Sequence, residues 1–233
     1  MGIALAIETS GQNGSVALVQ NEQVLVEESF PHGLKHAADL LPMIDRLMRN
    51  YAWKPADLHR LYVSCGPGSF TGLRIGITLA KTLSMATGAQ LIPVPTLEVL
   101  AYNAPVDARN LIVVLDAKRD QIFTARYEQQ QERWHEREAA HLDTLAAILD
   151  RAPRPVHLIG EGIPYHEKFI PPDRNGIIVT GESTWRARAS VVARLGIELA
   201  AVGRFTDADQ FTPTYVRKPE AEEKYEQRQQ SGT

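Results

Sequence analysis

The chain has 233 residues, 44% of them hydrophobic and 23% charged, with a formal net charge of −3. That is enough apolar mass for one large core or two small ones, and the slightly acidic balance argues against a protein that holds nucleic acid on a basic face by itself. No apolar run approaches the roughly 20 residues that cross a bilayer, the first residues lack a basic leader, and Cys65 is the single cysteine, so no internal disulfide forms; the expectation is a cytoplasmic protein.

Residues 3–8 (IALAIE) form a short apolar run ended by TSGQNGS, which reads as a buried strand and a turn. Residues 15–20 and 24–30 continue it as an antiparallel meander. A helix follows at 36–50, with Leu40, Ile44 and Leu47 on one face and Pro42 starting or kinking it. Residues 58–65 read as a strand. The stretch GPGSFTGLRIGITLAKTLS (66–84) opens a helix, and a strand at 89–94 and a helix at 96–103 complete a β-β-β-α-β-α-β-α order. Beyond the turn-rich 103–110, a hairpin is expected across 118–120 and the mixed-charge RWHERE (133–138) as a solvated strand or loop. Then come a helix at 143–151 capped by Asp143, a strand at 155–160, a short helix and strand, and a helix at 187–203 stopped by Gly203.

The glycine-rich stretch has two readings. Backbone N–H groups at a glycine loop and helix N-terminus attract anions, but Gly-Lys-Ser/Thr is missing and so is the third glycine of G-x-G-x-x-G. The packing reading is stronger. Ser69 or Thr71 caps the helix, and Gly72, Gly76, Ala80 and Ser84 recur every four residues as a stripe of small side chains, which suits close approach of another backbone.

GPGSFTGLRIG, with LAIETS, HAADLLPMI, LDAKRDQIF and PTYVR in order around it, resembles the TsaB family of bacterial tRNA threonylcarbamoyladenosine biosynthesis proteins over nearly the whole chain. The resemblance implies an α/β protein of the actin-like ATPase fold, with two lobes related to ribonuclease H. The expected division is an N-terminal lobe at 1–105 carrying partner-binding helices, a C-terminal mixed α/β lobe at 106–217 and a polar tail at 218–233. It also implies a non-catalytic subunit that binds and activates the larger paralogue TsaD. With TsaE, TsaD threonylcarbamoylates the adenosine beside the anticodon of tRNAs reading codons that begin with A. Glu8 stands where the family usually has Asp, a feature closer to TsaD. Against TsaD, Thr96 and Leu100 occupy the places of its metal-binding histidine pair.

The expected partner-binding residues are His36, Leu40, Leu41 and Ile44 from the first helix and Gly72, Leu73, Gly76, Ile77 and Ala80 from the glycine-rich helix. These would meet the same helix pair of TsaD as a four-helix bundle, or a second copy as a homodimer. Gly76→Arg is expected to keep the fold and abolish TsaD binding if the stripe lies outside the core. TsaE and tRNA join through the complex. No cofactor is expected to be required, with ATP or ADP at a subunit junction as an option; Glu8, Thr9, Ser10 and Asp116 are the candidate residues for it. His32 and His36 have metal-like spacing without a third ligand, so no metal is expected. Cys65 lacks a base partner, and GSFTG is not a serine nucleophile elbow. The competing expectation is an ATP-dependent kinase or hydrolase of the same fold acting alone.

Overall fold

The computed structural model describes residues 2–31 and 36–217, with backbone only at 31 and 36–39. The side-chain role expected of His36, the position of His32 and the tail 218–233 lie outside the described residues. The first half contains β1 (Ile3–Glu8), β2 (Asn13–Gln20), β3 (Gln23–Pro31), α1 (His36–Asn50), β4 (Leu58–Ser64), α2 (Phe70–Thr87), β5 (Gln90–Val94) and α3 (Thr96–Ala101). The second half repeats the order: β6 (Asn110–Asp116), β7 (Ile122–Gln130), β8 (Arg133–Asp143), α4 (Leu145–Arg151), β9 (Val156–Ile159), α5 (Ile163–His166), β10 (Ile177–Val179) and α6 (Ala189–Ala201).

The sheets are built alike. The first runs β3-β2-β1-β4-β5 and the second β10-β9-β6-β7-β8. In each, three consecutive strands pair antiparallel, a fourth joins the first of them in parallel, and the fifth joins the fourth in parallel. This is the two-lobed arrangement of the actin-like ATPase fold. The strand β8 is longer than its opening charged run suggests. It is an edge strand whose charges are paired on the surface: Arg126 and Arg151 both reach Glu138, at 2.8 Å each, so charge replaces apolar alternation there. The α4 cap is Thr144, whose Oγ1 accepts from Ala147 N, rather than the expected Asp143, which accepts from Thr144 N at 2.7 Å. Gly203, with φ of +76°, follows the end of α6 as expected.

Alternation along the strands sends side chains to both faces of each sheet, and three cores result. On the outer face of the first sheet, Leu5, Ile7, Leu61 and Val63 meet Leu40, Ile44 and Leu47 of α1 and Ile77 and Ala80 of α2. On the outer face of the second sheet, Ile112, Val114 and Leu158 meet Leu145, Ile148 and Leu149 of α4. Between the sheets lies the largest core, where α3 and α6 are sandwiched with Ala4, Ala6, Tyr62, Val113 and Tyr127. Here the order of packing departs from the order of sequence. The last helix, α6, packs on β1, β2, β4 and β5 of the first sheet, and α3 packs on β6 and β7 of the second. The expected division at 105/106 therefore separates the sheets but not their cores.

Candidate functional site

The helix pair α1–α2 covers the first sheet, and most of the residues expected to bind a partner lie on its inner side. Leu40, Ile44, Gly72, Leu73, Gly76, Ile77 and Ala80 are buried in the chain's own core. The small stripe is turned inward because the backbone it admits is that of Thr9, just past β1. A methyl group at Gly72 would overlap the Thr9 carbonyl oxygen, and one at Gly76 the Thr9 hydroxyl. Gly76→Arg is thus expected to disturb the fold. Of the described residues in the set, Leu41 alone is open to solvent, 50% exposed. What α2 presents outward is different: Thr71, Arg74, Thr78, Thr82 and Met85, the last 75% exposed. The positions 74, 78 and 85 fall on one side of a 3.6-residue repeat. α2 contains no Asp or Glu at all, which is unusual for a helix face bathed in water.

The glycine loop ahead of α2 is stitched into the fold by backbone bonds. Gly66 N donates to Thr96 Oγ1 at 3.1 Å, and Thr96 N returns a bond to the Gly66 carbonyl at 3.0 Å. Ser69 N donates to the Ser10 carbonyl at 2.7 Å, and Ser69 Oγ caps α2 by accepting from Gly72 N at 3.3 Å. Thr96 and Leu100, at the positions weighed as a metal pair, are both buried, Thr96 as a clamp on the loop and Leu100 in the central core. Among the described residues no group of three His, Cys, Asp or Glu is placed to hold a metal ion.

A cleft of about 700 Å³ opens between the lobes. One wall carries Ser10, Gly11, Gln12, Gly68, Ser69, Phe70 and Arg74; the other carries Asp116, Lys118, Phe123, Glu161 and Tyr165, with the segment 214–217 along one side. Of the four residues expected to hold a nucleotide, Ser10 and Asp116 reach it. Glu8 and Thr9 do not line it; both are buried behind the turn. Ser10 turns back on Glu8, donating to its Oε1 from N and from Oγ at 2.5 Å each. Burial pushes the Glu8 carboxyl above its ordinary range, with the Ser10 bonds pulling the other way. Asp116 feels burial too, but the hydrogen bonds and charge of Lys118 and the hydrogen bond from His166 outweigh it and hold its carboxyl below the ordinary value. Lys118 Nζ lies 2.8 Å from Asp116 Oδ2, and His166 Nε2 lies 3.1 Å from Oδ1.

Cys65 is buried beside Thr214, and burial pushes its thiol up to about 11, which suits an inert core thiol. Two segments of the cleft carried only weak signals in the sequence. Glu161 and Tyr165 sit in GEGIPYH, which has no spacing tied to a known site. Tyr215 and Arg217 sit in PTYVR, where the ring of Tyr215 packs on Phe70 and its hydroxyl oxygen accepts a hydrogen bond from Arg74 Nε at 3.2 Å. Arg217 donates to the Ala117 carbonyl and to the Gln121 side chain. A segment after α6 thus ties the N-terminus of α2 to the turn after β6. Among the described residues no helix is long and apolar enough to cross a membrane.

Known proteins resemble this chain over most of its length. A family model for TsaD, tRNA N6-adenosine threonylcarbamoyltransferase, matches residues 33–222. The tRNA threonylcarbamoyladenosine biosynthesis protein TsaB of Bacillus subtilis (strain 168) is 31% identical over 226 residues, 95% of this chain and 96% of that protein. TsaB of Escherichia coli (strain K12) is 32% identical over 135 residues, 56% of this chain and 58% of that protein, a little over half of each. Among solved structures, YeaZ from Pseudomonas aeruginosa superposes with a TM-score of 0.78 at 25% identity, covering 92% of this chain and 100% of that one.

Proposed function

This chain belongs to the TsaB family within the group described by the TsaD family model, so it is a protein of tRNA threonylcarbamoyladenosine biosynthesis, and we propose that it acts there as a non-catalytic subunit that binds and activates TsaD. The observation that carries this reading is the outer face of the α1–α2 pair. Leu41, Thr78, Thr82 and Met85 stand exposed on it, beside the charged side chains of Asp45, Arg46 and Arg49 on α1 and Arg74 on α2. A solvent-facing apolar and threonine-lined surface of this kind serves best as the centre of an interface with a polar rim. The two helices are backed by a filled core, so the surface is rigid before the partner arrives.

The partner face is therefore the outward side of the helices, and the buried glycines set their height above the sheet. TsaE and tRNA enter through the assembled complex, and without TsaD the same face makes a symmetric homodimer. ATP or ADP, where the complex uses it, sits at the subunit junction. Two features support a supporting rather than a catalytic role. Asp116 and Glu161, the two carboxylates lining the cleft, are bonded to Lys118 and His166 and to Gln12 N respectively, and Glu8 is sealed from the cleft. None of the three stands open to position a metal ion or water for phosphoryl transfer.

The test is capture of TsaD by tagged wild type, Thr78→Arg and Met85→Glu, with melting curves of each. Both substitutions lie on the surface and are expected to leave stability within about 0.5 kcal/mol while abolishing capture. Undiminished capture by folded variants removes the interface reading. Robust ATP turnover by the isolated wild-type chain, lost in Asp116→Ala, would put the lone kinase or hydrolase in its place.

A further inference from the structure

The turn at 10–12 already has an anion in it. Gln12 N donates to Glu161 Oε2 at 2.8 Å. Glu161 also lies over Gly11, where an added Cβ would come within 3.1 Å of Oε2 and 3.3 Å of Oε1. Beside this bond, Gln12 Nε2 donates to Tyr165 Oη at 3.2 Å. Residues 10–12 join β1 to β2 in the first sheet, whereas 161–165 follow β9 in the second. Both bonds therefore cross the mouth of the cleft.

The cations of the cleft are committed in the same internal way. Arg74 lies over the Phe70 ring, 3.8 Å from its centroid, and bonds Tyr215. Lys118 pairs with Asp116. Arg217 bonds Ala117 and Gln121. A bend that offers a backbone N–H, flanked by cations, is what a phosphate-bearing ligand would use; here the Gln12 N–H and at least one donor of each cation are engaged by the chain itself.

We infer that Glu161 is a built-in ligand of the 10–12 turn: its carboxylate occupies the anion position, closes the turn to phosphate-bearing molecules and latches the two lobes across the cleft. The inference does not rest on the partner reading, because it concerns contacts inside this chain.

The experiment is an amide-resolved NMR titration of the full chain with pyrophosphate, repeated on Glu161→Ala and Glu161→Gln. Wild type is expected to show no saturable shift at the Gly11 and Gln12 amides. Glu161→Ala is expected to bind pyrophosphate at least about tenfold more tightly than wild type, the worth of one charge-assisted hydrogen bond made available, with the shifts centred on Gly11 and Gln12. Glu161→Gln should fall between, since its amide oxygen still fills the turn without the charge. A saturable shift of those amides in wild type overturns the inference, as does a Glu161→Ala protein that binds no better than wild type. If the alanine variant does not fold, Glu161→Gln decides: it must bind more tightly than wild type, and equal affinities overturn the latch.

Discussion

Single residues in this chain have consequences that reach the helix pair. Gly72 and Gly76 both look toward Thr9, but they meet different atoms. The Thr9 carbonyl facing Gly72 is backbone and cannot swing aside, while the hydroxyl facing Gly76 is a side-chain atom that rotation about χ1 can move. Gly72→Ala should therefore cost about 1–3 kcal/mol by overpacking, outweighing the gain of about 1 kcal/mol in helix propensity. Gly76→Ala should cost less. Denaturant melts of the two variants check the order, and equal stabilities would mean that α2 does not rest on the Thr9 backbone. Glu8 gives a second residue-level prediction. Its carboxyl is raised by burial, so the native state holds that proton above the unfolded value of 4.5. In that window the folded protein binds more protons than the unfolded one, and stability is lost as pH rises through it. Glu8→Gln keeps an oxygen for the Ser10 bonds and removes the titration. The melting temperature of Glu8→Gln relative to wild type should accordingly rise between pH 4.5 and pH 7.5, and a pH-independent difference would show that the site does not bury a charge.

Among the elements, α2 is the one on which the proposed partner role rests. Its start is fixed by Ser69, which caps Gly72 N and whose own N–H is held by the Ser10 carbonyl. Ser69→Ala should cost about 1 kcal/mol. Because the first turns of α2 also carry Phe70 and Arg74, both in contact with Tyr215, the same change should speed amide exchange at residues 214–217. Destabilisation with exchange there unaltered would mean that the segment is held without α2. The glycine-rich sequence announced a helix and its cap, and it announced small residues on one face. It could not say which way that face turned. A period of four fits packing on a neighbouring strand end as well as packing on a partner, and only the position of Thr9 separates the two.

Across the whole molecule, the exchange of α3 and α6 between the sheets makes the halves interdependent. Without α6 the inner face of the first sheet, Ala4, Ala6, Tyr62 and Ile92 among its residues, would lie open. A fragment ending at residue 105 should therefore give no cooperative thermal transition and should bind a hydrophobic dye, while the full chain melts in one step. A cooperatively folded fragment would refute the interlocked core.

The local elements of the first lobe were legible in the residues: strands at 3–8 and 58–65, the helix at 36–50 and the glycine-opened α2 follow from short-range periodicity and turn chemistry, which act within a few positions. The family was legible as well, because GPGSFTGLRIG is long and specific. The second lobe was harder to read at β8, where paired surface charges replace the apolar alternation that marks a strand. The cleft was least legible of all. Glu161 and Gln12 are 149 positions apart, and Arg74 and Tyr215 are 141 apart. Nothing in local composition couples residues at such distances; the closing of two sheets around α3 and α6 does. Sequence thus determined the strand and helix order, the packing stripe and the family. Tertiary structure alone decided that the stripe faces inward, that the outer face of α2 is left to solvent, and that a carboxylate of the second lobe sits in the turn of the first.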